Sequence, residues 1–264
     1  MPFLHHAVTT LRIITKPSVV VPNLTVRSVA NINFKKLRDA GYEGVVIDRD
    51  NCLTKPRQDD LVPSLKDAWA DCHKAFGPDR ILIVSNSAGT SKDASFLQAE
   101  ALTRNLGAPV LLHEAPKPWV VKPILHYFAD LPPLSAPSAA AQPKLEAEPA
   151  TPRKPIPPRL LVIGDRISTD ILLGSRLQGS FSIWTKKVWQ EESFGVRVAR
   201  LLEDGVLFGV TRWRVWRRKR RGLEPEVDTA QVFVKNEPVV EEPAESTWWN
   251  SIVSRVRGLL PKAT

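Results

Sequence analysis

Two carboxylates at the end of an apolar run are the feature of this sequence with the clearest chemical potential. Residues 45–47 are β-forming and apolar, and Asp48 and Asp50 follow them with one residue between. Side chains two positions apart in an extended segment point the same way, so both carboxylates can converge on one site. Such a pair can bind Mg²⁺ or supply a nucleophile beside an acid or base. Taken alone, the pattern is equally typical of a solvated turn.

Two later segments repeat this pattern of an apolar run followed by polar side chains. One run ends at Ser85 and Asn86, and another ends at Asp165 with a further carboxylate at Asp170. Between them, Lys117 lies in a loop bounded by prolines. Because parallel strands end at the same edge of a sheet, where open α/β folds bind their ligands, we expect these side chains to face one pocket.

Each of these residues also has an ordinary structural interpretation. Ser85 and Asn86 could cap the helix that follows them. Lys117 could be a solvated lysine, and Asp170 could be a carboxylate favoured at the start of a helix. The joint occurrence of all of them behind three apolar runs favours the catalytic interpretation.

The order of these motifs resembles that of the haloacid-dehalogenase (HAD) phosphatase superfamily. Within it, four segments are similar to the mitochondrial phosphatidylglycerophosphate phosphatases and their bacterial relatives: 48–52, 85–89, 113–118 and 164–170. The resemblance covers residues 8–210 with one interruption. Cys52 stands where many superfamily members have threonine, a departure that fits this subfamily.

The resemblance implies a role for each residue that would contact the reacting phosphate. Asp48 would attack phosphorus and form an aspartyl-phosphate. Asp50 would protonate the leaving oxygen and later activate water. Ser85 and Asn86 would hold phosphate oxygens, and Lys117 would neutralise the phosphoryl charge.

The resemblance also implies Mg²⁺ as the cofactor. Asp48 and Asp165 would ligate the ion, Asp50 would contribute its backbone carbonyl, and Asp170 would support the metal shell. The chemistry agrees, because a phosphate monoester hydrolyses very slowly without help. A carboxylate nucleophile and a cationic clamp on the charged oxygens are the expected means of lowering that barrier.

Helical periodicity between the apolar runs predicts the fold class. Helices are expected over 33–41, 64–76 and 92–106, and they alternate with the strands. This alternation predicts an α/β fold, an HAD-like (Rossmann-type) parallel sheet with helices on both faces.

The chain is predicted to consist of three parts. A basic N-terminal segment, 1–38, precedes a phosphatase domain at 39–210, and a basic, Trp-rich extension follows at 211–264. Residues 131–158 contain nine prolines and no hydrophobic periodicity, which predicts a disordered insert within the domain. An insert of this kind cannot form a substantial cap, and uncapped superfamily members tend to accept large substrates at a surface.

Composition and charge indicate the compartment. Two cysteines among 264 residues are too few for a disulfide framework, and no apolar run is long enough to span a bilayer. Residues 1–38 contain no acidic residue, as in a mitochondrial transit peptide. With the resemblance, this predicts a mitochondrial protein, peripheral on the matrix side of the inner membrane.

The basic extension suggests an anionic partner. The net charge of +9 is concentrated in residues 211–222, where tryptophans alternate with arginines, and helical spacing returns at 246–260 with an apolar stripe. Both segments suit an anionic bilayer interface. A solvated helix end and a helix docked on the core are the structural alternatives.

Three functions remain open on these observations. The leading one is a phosphatase that converts phosphatidylglycerophosphate to phosphatidylglycerol for cardiolipin synthesis at an anionic phospholipid membrane. A phosphatase of nucleic-acid ends, or of another phosphomonoester, is the alternative, although the resemblance makes nucleic acid the weaker candidate partner. A non-catalytic binding module is the third, and the sequence does not indicate an oligomeric state.

Overall fold

A computed structural model describes residues 16–132, 157–186, 189, 194–222 and 229–235, with side chains for all of these except 194–199. Most of the predicted insert at 131–158 and all of the predicted helix at 246–260 therefore lie outside the described residues. The same holds for the first 15 residues of the predicted N-terminal segment.

Five parallel strands form one sheet in the order β1-β5-β4-β2-β3. The strands are β1 (Leu24–Val26), β2 (Gly44–Ile47), β3 (Ile81–Ile83), β4 (Leu160–Gly164) and β5 (Phe181–Thr185). Val46 in β2 lies opposite Leu82 in β3 and Val162 in β4, so the three strands that precede the predicted site residues are neighbours. The predicted α/β fold with a parallel sheet is confirmed.

The described residues also form six α-helices and several shorter helical turns, most of which lie between the strands. The helices are α1 (Phe34–Asp39), α2 (Lys66–Phe76), α3 (Leu97–Leu106), α4 (Val121–Ala129), α5 (Leu172–Arg176) and α6 (Phe194–Arg220). The 3₁₀ turns are Pro17–Val20, Val29–Asn31, Pro63–Leu65, Pro78–Arg80, Ala94–Phe96 and Thr229–Phe233, and a π-helical turn spans Ile167–Ile171. Within the described residues, every helix is too short or too polar to cross a bilayer.

Alternate residues of β2 face opposite sides of the sheet. Val45 and Ile47 pack in a cluster with Trp69 of α2, whereas Val46 packs in a second cluster with Phe128 of α4. All five side chains are buried. Burial on both faces explains why β2, β3 and β4 are continuously apolar rather than alternating, and it confirms the predicted helices on both sides.

The third predicted helix begins later than its periodicity indicates. It was expected from residue 92, but α3 starts at Leu97, and Phe96 immediately before it has a φ of 57°. The Asp93 carboxylate accepts hydrogen bonds of 2.9 Å from the backbone N–H groups of Gln98 and Ala99. This side chain satisfies the first turn of the helix from outside, so the residues between form an irregular turn.

The residues on both sides of the two predicted domain boundaries lie in elements of the described structure. β1 pairs with β5 at the edge of the sheet, and residues 38 and 39 lie inside α1. Residues 210 and 211 likewise lie inside α6. A three-residue edge strand carries too few positions to show a hydrophobic period, so the sequence pattern gave no indication of β1.

Candidate active site

The strand order brings the predicted site residues to one edge of the sheet. Asp48 directly follows β2, and Asp165 directly follows β4, which is its neighbour. Ser85 follows β3 by two positions on the other side of β2. The carboxyl ends of these strands therefore place the side chains of three sequence motifs side by side, as the parallel sheet requires.

Lys117 lies at the centre of this edge rather than in solvent. Its Nζ atom is 2.7 Å from Asp48 Oδ1 and 2.7 Å from Asp170 Oδ1, and its side chain is 3% exposed. Burial lowers the pKa of Lys117, but the carboxylates of Asp170 and Asp48 outweigh burial and raise the pKa above its usual value. The ammonium group is therefore a permanent cation between two acids.

Two hydrogen-bonding groups hold the loop that carries Lys117. The backbone N–H of Lys117 donates to Asn86 Oδ1 at 2.8 Å. The two ring nitrogens of His113 lie 2.7 Å from the Ala115 carbonyl and 2.9 Å from the Ser85 carbonyl. Burial lowers the pKa of His113, with a smaller contribution from the nearby Lys117 cation, and these carbonyls oppose the shift. The loop is thereby fixed to the residues that follow β3.

The helix-cap interpretation of Ser85 and Asn86 does not match their contacts. The next α-helix begins only at Leu97, and Asn86 instead accepts the bond from the loop at Lys117. Ser85 is 1% exposed, and its hydroxyl lies 3.0 Å from that of Ser87. Asn86 is therefore at the surface of the site, whereas Ser85 lies beneath it.

Three carboxylates form a cluster that fits a divalent cation. Asp48, Asp165 and Asp170 each offer one oxygen, and these oxygens lie within 4.8 Å of one another. Asp165 Oδ1 is buried and has no hydrogen-bond partner among the described residues. A buried carboxylate oxygen without a donor, inside an all-oxygen set, fits a hard cation such as Mg²⁺.

The pKa values of the buried carboxylates in this cluster also favour a bound cation. Burial, and then the charge of Asp48, raises the pKa of Asp165, although Arg200 opposes this shift. Burial is also the main reason why the pKa of Asp170 rises to about 7. The positive charge of Lys117 opposes this rise, and the negative charges of Asp48 and Asp165 add to it. The acids repel one another in the absence of a further cation, so a bound divalent ion would relieve a cost already built into the fold.

A glycine allows Asp170 to reach the cluster. A Cβ atom placed on Gly164 would overlap the Asp170 side chain. Asp170 Oδ2 also accepts a hydrogen bond of 3.2 Å from the Arg166 backbone N–H, which fixes the carboxylate over the end of β4. Gly164 is therefore required by close packing at the site rather than by an unusual backbone angle.

Replacing Gly164 by alanine is expected to displace Asp170 and to cost about 1–3 kcal/mol of unfolding free energy through overpacking. Phosphatase activity should fall with it, because Asp170 also positions Lys117. Gly205→Ala on α6 is the matched control, since a Cβ atom there meets nothing within 4 Å. Urea unfolding and turnover measured on both variants test this, and equal behaviour of the two would contradict it.

Arg49 is a buried residue of the site that the sequence interpretation missed. Its side chain is 1% exposed and lies 3.0 Å from Asp50 and 3.1 Å from Asp59. The same guanidinium donates to the Ser87 hydroxyl at 3.3 Å. The position of Arg49 between two aspartates at a strand end could have indicated a role in the site. Its burial, however, depends on Asp59, ten residues away, and the sequence does not show that contact.

A cavity of about 200 Å³ opens over these residues. It is lined by Asp48, Asp50, Asn86, Ser87, Lys117, Arg166 and Thr169. Ser87, Arg166 and Thr169 were not predicted, although all three lie inside segments that carry predicted residues. The lining combines two carboxylates, two cations and hydroxyl and amide groups, which suits a phosphate group with its ester oxygen.

Comparisons with known proteins agree with this chemistry. Residues 4–141 match the family model described as mitochondrial PGP phosphatase. A chloroplastic phosphatidylglycerophosphate phosphatase of Chlamydomonas reinhardtii is 32% identical, over 84% of this chain and 73% of its own length. The mitochondrial phosphatidylglycerophosphatase of Saccharomyces cerevisiae is 31% identical, over 67% of this chain and 83% of its own. No solved structure matches the chain.

Proposed function

The chain belongs to the family of mitochondrial PGP phosphatases and is thus a phosphatase, and we propose that its substrate is phosphatidylglycerophosphate. Hydrolysis of the terminal phosphate monoester would yield phosphatidylglycerol and inorganic phosphate. The observation that carries this proposal is the contact of Lys117 with both Asp48 and Asp170 at the carboxyl edge of the sheet.

Asp48 is the nucleophile in the proposed reaction. One of its oxygens forms a bond to phosphorus, and the bond from phosphorus to the glycerol oxygen breaks. Asp50, which lines the same cavity, gives its proton to that oxygen. Asp50 then takes a proton from water as the water attacks the aspartyl-phosphate, which releases phosphate and restores Asp48.

The remaining cavity residues bind and orient the phosphate. Lys117 faces Asp48 from 2.7 Å, so its charge lies where negative charge develops on the phosphoryl oxygens. Asn86 and the neighbouring Ser87 supply polar side chains from the segment that follows β3, the strand next to β2. Ser85 contributes through its bond to Ser87. The contact of Asp50 with Arg49 sets the direction of the Asp50 carboxylate.

The proposed cofactor is Mg²⁺, held by Asp48, Asp165 and Asp170 with the backbone carbonyl of Asp50. The orphaned Asp165 Oδ1 and the close carboxylate oxygens support this assignment. When bound, the ion would neutralise phosphoryl oxygens and favour their approach to a carboxylate. The HAD-like identity of the fold is part of the same proposal and is supported by the Asp-x-Asp motif at the end of β2.

The proposed location is the matrix side of the inner mitochondrial membrane, as a peripheral protein. The description of the matching family and the acid-free first 38 residues support a mitochondrial address. There, the phosphatidylglycerol product would be available for cardiolipin synthesis.

The outer face of α6 supports the membrane contact. Its exposed apolar side chains are Leu201, Leu202, Val206, Phe208, Trp213, Val215 and Trp216. At 100° per residue, Leu201, Phe208 and Trp216 fall on the side of the helix opposite to Leu207 and Val210, which pack on the domain. Leu202 and Val215 flank that side, and Val206 and Trp213 lie between it and Val210. Basic residues follow at the C-terminal end of the same helix. A helix with an exposed apolar face and a cluster of cations suits the interface of an anionic bilayer.

Replacing Arg212 and Lys219 by glutamine is expected to weaken binding to vesicles rich in phosphatidylglycerol about 30-fold. Each basic residue near an anionic surface contributes about 1 kcal/mol, and both side chains are exposed on α6. The matched control replaces Lys35 and Arg104, which are exposed on other helices, by glutamine. Flotation of the two double variants compares them, and equal losses would show that overall charge rather than α6 binds the lipid.

The proposed function is tested by phosphate release from vesicles that contain phosphatidylglycerophosphate. We expect release with Mg²⁺ and its loss after chelation with EDTA. Efficient cleavage of soluble monoesters without release from the lipid would refute the lipid substrate. Release from oligonucleotide ends in place of the lipid would instead support the nucleic-acid alternative.

A further inference from the structure

Helix α6 contacts the catalytic edge through a charged pair close to its N-terminus. One nitrogen of the Arg200 guanidinium donates a hydrogen bond of 2.9 Å to the backbone carbonyl of Asp165. A second nitrogen of the same group forms an ion pair with Asp165 Oδ2. The planar fork of the arginine therefore holds the backbone and the side chain of one residue at once. The two residues are 35 positions apart in the sequence.

The contacts of Asp165 divide its two carboxylate oxygens between different tasks. Oδ2 accepts a hydrogen bond from the Arg200 guanidinium and another, of 3.1 Å, from the Asn51 side-chain amide. Oδ1 is buried and receives no hydrogen bond among the described residues. With Oδ2 held by two donors, rotation of the carboxylate is restricted, and Oδ1 is the oxygen that stays available to a cation.

Glu203 holds the turn that follows. Its carboxylate accepts bonds from the backbone N–H groups of Ile167 at 3.1 Å and Ser168 at 3.2 Å, and it also accepts from the Ser168 hydroxyl. Thr169 in this turn and Arg166 immediately before it both line the cavity. Glu203 thus satisfies the free donors at the start of the turn and sets the position of the cavity wall.

The rest of the same helical face is apolar and packs on the domain. Leu207 and Val210 pack in a cluster with Ile167, Ile171 and Trp184. Arg200, Glu203, Leu207 and Val210 follow one another at intervals of three, four and three residues. They therefore lie along one stripe of α6. Arg200 and Glu203 thus form one end of a continuous docking face of α6. The apolar contacts hold the helix on the domain, and these two charged side chains contact the residues that follow β4.

We propose that Arg200 and Glu203 are positioning residues that use docked α6 to orient Asp165 and the following turn for the cation. This inference rests on the proposed function in one respect, the assignment of a divalent cation to Asp165. Neither residue contacts the reacting atoms. Arg200 acts through Asp165 Oδ2, and Glu203 acts through the backbone of Ile167 and Ser168.

The test is Mg²⁺ binding to the full-length enzyme by isothermal titration calorimetry, without substrate or lipid. Arg200→Gln is expected to weaken Mg²⁺ affinity about 10-fold or more, as is usual for a partner of a ligand side chain. Arg200→Lys retains the charge but cannot bridge the carbonyl and the carboxylate, so it should recover only part of the loss. Arg104→Gln removes an equal charge from an exposed i, i+4 pair on α3 and should leave the affinity unchanged.

Glu203→Gln provides a second readout that does not depend on folding of the Arg200 variants. It should increase hydrogen–deuterium exchange at the amides of Ile167 and Ser168 and weaken Mg²⁺ binding by a smaller factor. Wild-type or tighter Mg²⁺ affinity in Arg200→Gln, or full recovery with lysine, would overturn the inference. So would a wild-type enzyme that binds no Mg²⁺. Phosphate release from the lipid is scored separately, so a different substrate would refute the proposed function and leave this inference intact.

Discussion

Replacing Asp48 by asparagine is expected to lower phosphate release by about 10⁴-fold or more, because an amide cannot replace the attacking carboxylate. Asparagine has nearly the same shape, so the loss should occur with little change in the fold. Asp48 is only 11% exposed, contacts Lys117, and belongs to the same carboxylate cluster as the two deeper acids, Asp165 and Asp170. Turnover of phosphatidylglycerophosphate in vesicles measures the effect, with thermal unfolding recorded on the same samples.

Asp67→Asn is the control for this substitution, since Asp67 is exposed in the first turn of α2 and away from the cavity. Trapping adds a direct test of the nucleophile. In Asp50→Asn, the step that activates water is impaired, so mass spectrometry after acid quenching should find one phosphoryl group on Asp48. The double variant of Asp48 and Asp50 should carry none. A phosphoryl group on another residue, or near-normal turnover of Asp48→Asn, would contradict the assignment.

The strand-end residues could be predicted because the parallel sheet turns sequence order into spatial order. Asp48 and Asp165 each follow an apolar run, and parallel pairing of β2 with β4 brings the ends of those runs together. Predicting the position of the Lys117 loop required one further assumption. The short apolar run before the loop, residues 110–112, had to end at the same edge of the sheet as the strands. The contact of Lys117 with Asp48 agrees with that expectation.

The residues that the sequence did not indicate depend on contacts between distant segments. Arg200 lies 35 positions after Asp165, near the start of a helix whose basic residues are concentrated at its C-terminal end. Its helical spacing to Leu207 and Val210 puts it on the packed face of α6, but the sequence does not show that this face meets Asp165. Arg49 is similar, because its burial is decided by Asp59 and Ser87 together. Tertiary contacts select these residues, and a pattern in one segment cannot show them.

The same limit applies to the start of α3. Periodicity counted residues from 92 onward as helical, but the Asp93 side chain caps a helix that begins at Leu97. The competing hydrogen bonds come from a side chain to the backbone, and such bonds favour turns over helix interiors. Apolar spacing therefore predicted the presence of α3 correctly and placed its first turn too early.

Replacing Lys117 by methionine is expected to remove activity and to destabilise the fold. The substitution leaves the partly exposed Asp48 and the buried Asp170 without their shared cation. Breaking a buried ion pair such as Lys117–Asp170 typically costs about 3–5 kcal/mol. Activity should fall about 10²–10³-fold even where the protein is folded, because the phosphoryl charge loses its clamp. Lys122→Met on α4 removes the same charge from an exposed position and should change neither property.

The stability loss in Lys117→Met should depend on pH in a defined direction. The folded-state pKa of Asp170 is about 7, above the usual 3.8, so between about pH 4 and 7 the unfolded chain gives up this proton first. Stability from Asp170 is therefore present at low pH and is lost as the pH rises through this window. Without Lys117 the folded-state pKa rises further, which extends the loss to higher pH. Urea unfolding without metal should show a larger difference from wild type at pH 8 than at pH 5.5. A difference that is constant, or larger at pH 5.5, would mean that Lys117 does not stabilise these acids in their charged form.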